Sequence, residues 1–204
     1  MFRFVKNSTK LLLLFFLLNG CSNHEEAMKV LPNELAIADE CRNLKKQFEI
    51  DCYDLIAYKN SFAQIRLGLT AQYRGNFDEA FQRYNFAKQK GNFYANSLLA
   101  NLYINGFGVP KNEKIAIDLL EEVKEVDPIA AYKLANFYLI DDKVKKAIEL
   151  LTYAGENGVK DAQYQLYLLY SNEQYIPIDS EKSEYWDLKH KEDTQSFTNK
   201  IYGI

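Results

Sequence analysis

Ala95-Asn96-Ser97-Leu98-Leu99-Ala100-Asn101-Leu102-Tyr103 returns as Ala130-Ala131-Tyr132-Lys133-Leu134-Ala135-Asn136-Phe137-Tyr138. It returns again as Ala162-Gln163-Tyr164-Gln165-Leu166-Tyr167-Leu168-Leu169-Tyr170. Ala, Leu and Tyr keep offsets of 0, +4 and +8, which is one face of a helix. A turn follows each of the first two copies: Gly106-Phe107-Gly108-Val109-Pro110, then Asp141-Asp142. A second helix comes next, with Lys114-Ile115-Ala116-Ile117-Asp118-Leu119-Leu120 matching Lys146-Ala147-Ile148-Glu149-Leu150-Leu151. An earlier copy is visible from Leu69 to Lys90, with Tyr73, Ala80, Tyr84 and Ala87 in place. The last copy is degenerate, with Tyr185-Trp186 in the second-helix slot.

Small Ala at fixed positions lets paired helices close to about 8–10 Å, while Leu and Tyr fill the space beside them. One hairpin cannot bury its apolar face alone, so neighbours stack and share a core. The spacing therefore predicts an all-α chain, a solenoid of stacked antiparallel hairpins. Composition agrees. Apolar residues make up 48% of 204 residues, too many for a disordered chain, and 9 Gly with 4 Pro are too few for the turns of a β-sandwich.

The pattern A-x3-L-A-x2-Y, the G-x-G-V loop, K-x-A-x2-L-L, and A-G-x2-G at Ala154 to Gly158 resembles the Sel-one-like repeat, a relative of the tetratricopeptide repeat. The resemblance covers residues 61–191 as about four repeats. It implies a right-handed α-α superhelix whose first helices line the concave side. The third copy lacks the loop glycines, so regularity is expected to slip there.

Residues 1–20 read as an export leader. Arg3, Lys6 and Lys10 precede the apolar run Leu11 to Leu18, which is far short of the roughly 20 residues that span a bilayer. Leu18-Asn19-Gly20-Cys21 resembles the bacterial lipobox. That resemblance implies an acylated Cys21 and, with Ser22 rather than Asp after it, an outer-membrane protein facing the periplasm. Residues 21–31 carry little periodic signal and read as a tether.

Cys41 and Cys52 remain, in an oxidising compartment that favours pairing. On one straight helix they would stand about 16 Å apart, too far for a bond needing Cα atoms within about 7 Å. A disulfide therefore requires a helical hairpin over 32–60, opened by Pro32-Asn33-Glu34 and reversed ahead of Asp51 as a second cap. Two unpaired buried thiols on one helical stretch are the alternative.

Catalytic and metal chemistry find little material. Two His, scattered carboxylates and no G-x-S-x-G, H-E-x-x-H or C-x-x-C give no catalytic set, no metal site and no cofactor. A formal charge of −3 without a basic run argues against nucleic acid, and nothing points to a small-molecule substrate. Offsets +2 and +6 on the first helices point away from the Ala/Leu/Tyr face. They hold Ser97, Asn101, Tyr132, Asn136, Tyr164 and Leu168, an uncharged stripe read as a groove for a protein partner, or else as a solvated face. Residues 192–204 read as a polar tail.

The expected function is thus a periplasm-facing lipoprotein that binds another protein through its repeats. The family resemblance implies one sharper form, an immunity protein neutralising a type VI secretion effector. An envelope adaptor or regulatory scaffold is the alternative. A penicillin-binding type of enzyme fits poorly, because such relatives carry a Cys pair in nearly every repeat and this chain has no Cys after Cys52.

Overall fold

The computed structural model describes the backbone of residues 8–203, and side chains within that range other than those of residues 8–23, 46 and 47. The lipidation expected at Cys21 concerns a side chain outside the described ones. Eleven helices follow one another among the described residues: α1 Ser8–Arg42, α2 Lys46–Ile56, α3 Ser61–Tyr73, α4 Phe77–Gln89, α5 Ala95–Asn105, α6 Glu113–Val123, α7 Pro128–Ile140, α8 Val144–Glu156, α9 Lys160–Ser171, α10 Ser180–Lys191 and α11 Phe197–Tyr202. Helices α3/α4, α5/α6, α7/α8 and α9/α10 form four antiparallel pairs, and each pair packs on the next. The result is an all-α, right-handed solenoid.

The repeated small residues lie where helices touch. Ala80, Ala95, Ala100, Ala116, Ala130, Ala135, Ala147, Ala154 and Ala162 are fully buried, and so are Leu120, Leu134, Leu151 and Leu166. Side-chain caps set several helix starts. Asn60, Asn76, Asn112, Asp127 and Asp179 each accept a hydrogen bond from a backbone N–H in the first turn that follows. In the glycine-bearing loop, Gly106 and Gly108 have φ of 70° and 68°, and Phe107 stacks on Phe77 at 4.4 Å. Asp142 takes φ 56° in its tight turn, a left-handed conformation that a short polar side chain tolerates better than most. Tyr73, the repeat tyrosine of the first copy, is 93% exposed instead of packed.

The N-terminal region departs from its expected organisation. Residues 21–31 are helical rather than a loose tether, and Pro32 lies inside α1 rather than opening it. Pro32 is exposed, so the Met28 carbonyl that loses its helical donor can bond to water. Leu31 and Ala38 are buried against the stack, and His24 meets Phe93 edge-on at 5.7 Å. The Glu34 carboxylate accepts from both the backbone N–H (2.8 Å) and the hydroxyl of Ser61, tying α1 to the first repeat. The chain reverses at Asn43-Leu44-Lys45, and Asp51 lies within α2 instead of capping it. That reversal brings the Cα atoms of Cys41 and Cys52 to 5.5 Å, and a disulfide joins them.

Candidate partner-binding face

The first residue of α9 and the residues just ahead of α9 and α5 receive the end of the chain. Lys160 donates to the carbonyls of Lys189, His190 and Glu192 at 3.1, 3.2 and 2.8 Å, satisfying the last turn of α10 where the chain doubles back. Ser196 then caps α11. The Phe197 N–H donates to the Gly158 carbonyl at 2.9 Å, and the Phe197 ring lies 6.1 Å from that of Tyr94. Further on, the Tyr202 phenol donates to the Tyr94 carbonyl at 2.9 Å, and Arg42 donates to Asn199 at 3.2 Å. Gly203 ends the helix left-handed, with Arg66 so close that a Cβ would fall 1.7 Å from Nη1. The segment read as a polar tail over 192–204 is therefore a packed element: Ile201 and Tyr202 are each 3% exposed.

Beneath it lies a buried carboxylate. Asp127 accepts from the Ser97 hydroxyl at 2.6 Å and from the Ile129 N–H at 2.9 Å. Burial nevertheless pushes its carboxyl up to about 6, because removal from water outweighs those hydrogen bonds. Burial likewise holds the Tyr202 phenol well above its ordinary value, with the charge of Asp127 adding to the effect. The same desolvation lowers the ammonium of Lys133, against the pull of Asp127 and Asp161.

The predicted stripe splits in two. Ser97 is fully buried and spoken for by Asp127, with Tyr202 lying against it, so it cannot face a partner. Asn101 is half-buried, and its carbonyl accepts from Asn105 at 2.8 Å. Tyr132 and Asn136 are half-buried and joined, Asn136 donating to the Tyr132 carbonyl at 3.1 Å. Gln165 donates to Asn136 at 2.9 Å, bridging α7 and α9. Tyr164 and Leu168 are exposed on α9, the Tyr164 ring lying 5.2 Å from His190 and 5.9 Å from Tyr167. The accessible part is thus the α7/α9 end, where amide and aromatic groups present donors, acceptors and flat apolar area. Sequence reasoning missed α11, although the signal was present: a Ser196 cap, Phe197, Ile201 and Tyr202 on one side, and Gly203 as the stop.

The structure is thus a row of helix pairs sharing Ala-lined contacts, with an aromatic and amide stripe left open at one end. Solved structures agree on the fold. The Sel1 repeat protein from Oxalobacter formigenes superposes with a TM-score of 0.64 at 23% identity, over 82% of this chain and 73% of that one. A protective antigen of uropathogenic Escherichia coli strains, displaying an SLR fold, gives 0.58 at 21% identity, over 79% of this chain and 38% of that one. Among curated proteins, the exopolysaccharide production negative regulator of Rhizobium meliloti (strain 1021) is 30% identical over 124 residues, or 52% of this chain. The chain spans about half the length of that relative, 46%. No family model matches the chain. The chain has the Sel1-repeat fold.

Proposed function

We propose that this chain is a lipid-anchored envelope scaffold that holds a regulatory protein partner on the α7/α9 end of its first-helix stripe. The observation that carries this is the division of the stripe. Tyr164 and Leu168 stay exposed beside Tyr132 and Asn136, while Ser97 is closed off. Aromatic side chains on a rigid helical support are the usual anchors of a protein interface. The regulatory role is supported by the likeness to a protein named as a negative regulator. The envelope location is supported by the leader, the lipobox-like Leu18 to Cys21 and the Cys41–Cys52 bridge, which suits an oxidising compartment.

The test is capture from envelope extract by the chain starting at Ser22. One protein should be enriched, and Tyr132→Ala with Tyr164→Ala should lose it at unchanged helicity; capture that survives both changes overturns the assignment. Lipid anchoring is read from incorporation of labelled palmitate, expected in the native chain and absent in Cys21→Ser. An immunity protein would differ from an adaptor by a tight 1:1 complex that inactivates a toxin.

A further inference from the structure

We propose that the cleft between α2, α3 and the Gly203 end of the chain binds a carboxylate carried on a compact apolar body, with Arg66 as its counter-ion. The cleft has a volume of about 440 Å³. Arg66 lines it with a side chain only 4% exposed. One nitrogen, Nη2, meets Asp39 at 3.2 Å, but Nε and Nη1 are buried without a hydrogen-bond partner. Buried guanidinium donors left without acceptors are costly, and native structures rarely keep them unless something else supplies the acceptor.

The surroundings say what that acceptor is. Arg42 and Asp39 lie within electrostatic reach of Arg66, and Arg74 and Glu49 line the same cleft. Asp39 is bonded to Nη2 alone, which leaves Nε and Nη1 as donors unmet by these neighbours. Glu49 is already engaged, accepting from the Tyr53 phenol at 3.0 Å. The remaining walls are Ile50, Leu69 and the rings of Tyr53 and Tyr73, which suit a short aliphatic or aromatic body. Free organic acids and the C-terminal residue of a peptide share this chemistry. The inference does not depend on the partner face at α7/α9.

Calorimetric titration of the purified full chain with N-acetyl-leucine, isocaproate and the neutral N-acetyl-leucinamide tests it. Both carboxylates, or N-acetyl-leucine alone, should bind saturably and about tenfold or more tighter than the amide. Comparable binding of isocaproate points to free acids, and binding of N-acetyl-leucine alone points to a peptide end. Arg66→Lys should abolish the preference for carboxylate over amide. Arg74→Gln, at an exposed position, should weaken carboxylate binding several-fold without moving the melting temperature. Equal binding of acid and amide overturns the proposal, as does the lack of any saturable binding at about 10 mM, a limit already weaker than 1 mM affinity. If Arg66→Lys does not fold, unchanged affinity in Arg74→Gln is enough to overturn it.

Discussion

The Tyr202 phenol donates a hydrogen bond to the backbone carbonyl of Tyr94, 2.9 Å away and 108 residues earlier in the chain. Through this contact the last helix closes over the start of α5, next to Ser97 and Asp127. Helices α1 and α11 are therefore both fastened to the first half of the stack, α1 at Ser61 and α11 at Tyr94.

Removing the phenol oxygen with Tyr202→Phe should cost about 1–2 kcal/mol, since the buried Tyr94 carbonyl loses its donor. Removing the whole ring with Tyr202→Ala should cost about 3–5 kcal/mol. Urea denaturation followed by circular dichroism measures both. Values within a few tenths of a kcal/mol of the native chain would mean that α11 is not docked.

The Cys41–Cys52 bridge closes a short loop at the α1/α2 reversal, with 11 residues of separation. Loop-closure entropy at this size gives about 2–3 kcal/mol. Reduction of the native chain should lower its denaturation midpoint to that of the Cys41→Ser/Cys52→Ser variant, and the variant should not respond to reductant. A native chain indifferent to reductant contradicts the bridge.

Asp127 should leave a pH signature. Its carboxyl is raised to about 6 in the fold, from 3.8, so the folded state binds the proton more tightly than the unfolded one. The associated stability is fully present below pH 3.8 and is lost as pH rises through about 6. Asp127→Asn keeps the cap but cannot titrate. Measured against that variant, the native chain should lose stability between those two pH values; a constant difference refutes the shift.

Gly108 takes φ 68°, and a Cβ there would meet the Phe77 backbone at 2.7 Å. Gly108→Ala should destabilise the chain by about 1 kcal/mol or more. In contrast, Gly91→Ala, also at positive φ but with nothing within 4 Å, carries backbone strain alone and should cost less. Thermal melts of the two variants make the comparison.

The repeats were legible because their chemistry is local: Ala where helices touch, Leu beside it, and a cap before each start. Ala95 to Tyr103 alone gave the helix, its buried face and the need for a neighbour. What escaped was set by distant packing. Pro32 looked like a helix start because its effect on a helix depends on whether the freed carbonyl reaches water. Ser97 shared its offset with Tyr132 and Tyr164, yet it sits under a side chain 105 positions further on, at Tyr202. No periodicity within a repeat encodes that burial. Residues 197–202 were too short to register as a helix, although their apolar side was already written in the sequence.

Amide hydrogen exchange at Phe197 and Gly203 tests most directly whether the chain's end is fastened along the repeats, leaving only α7/α9 open. Their N–H groups donate to Gly158 and Asn199 at 2.9 and 2.8 Å. Both should exchange as slowly as the amides of α5, opening only with the whole stack. Exchange at the rate of an unstructured peptide would contradict the account and would return Ser97 and its neighbours to the accessible face.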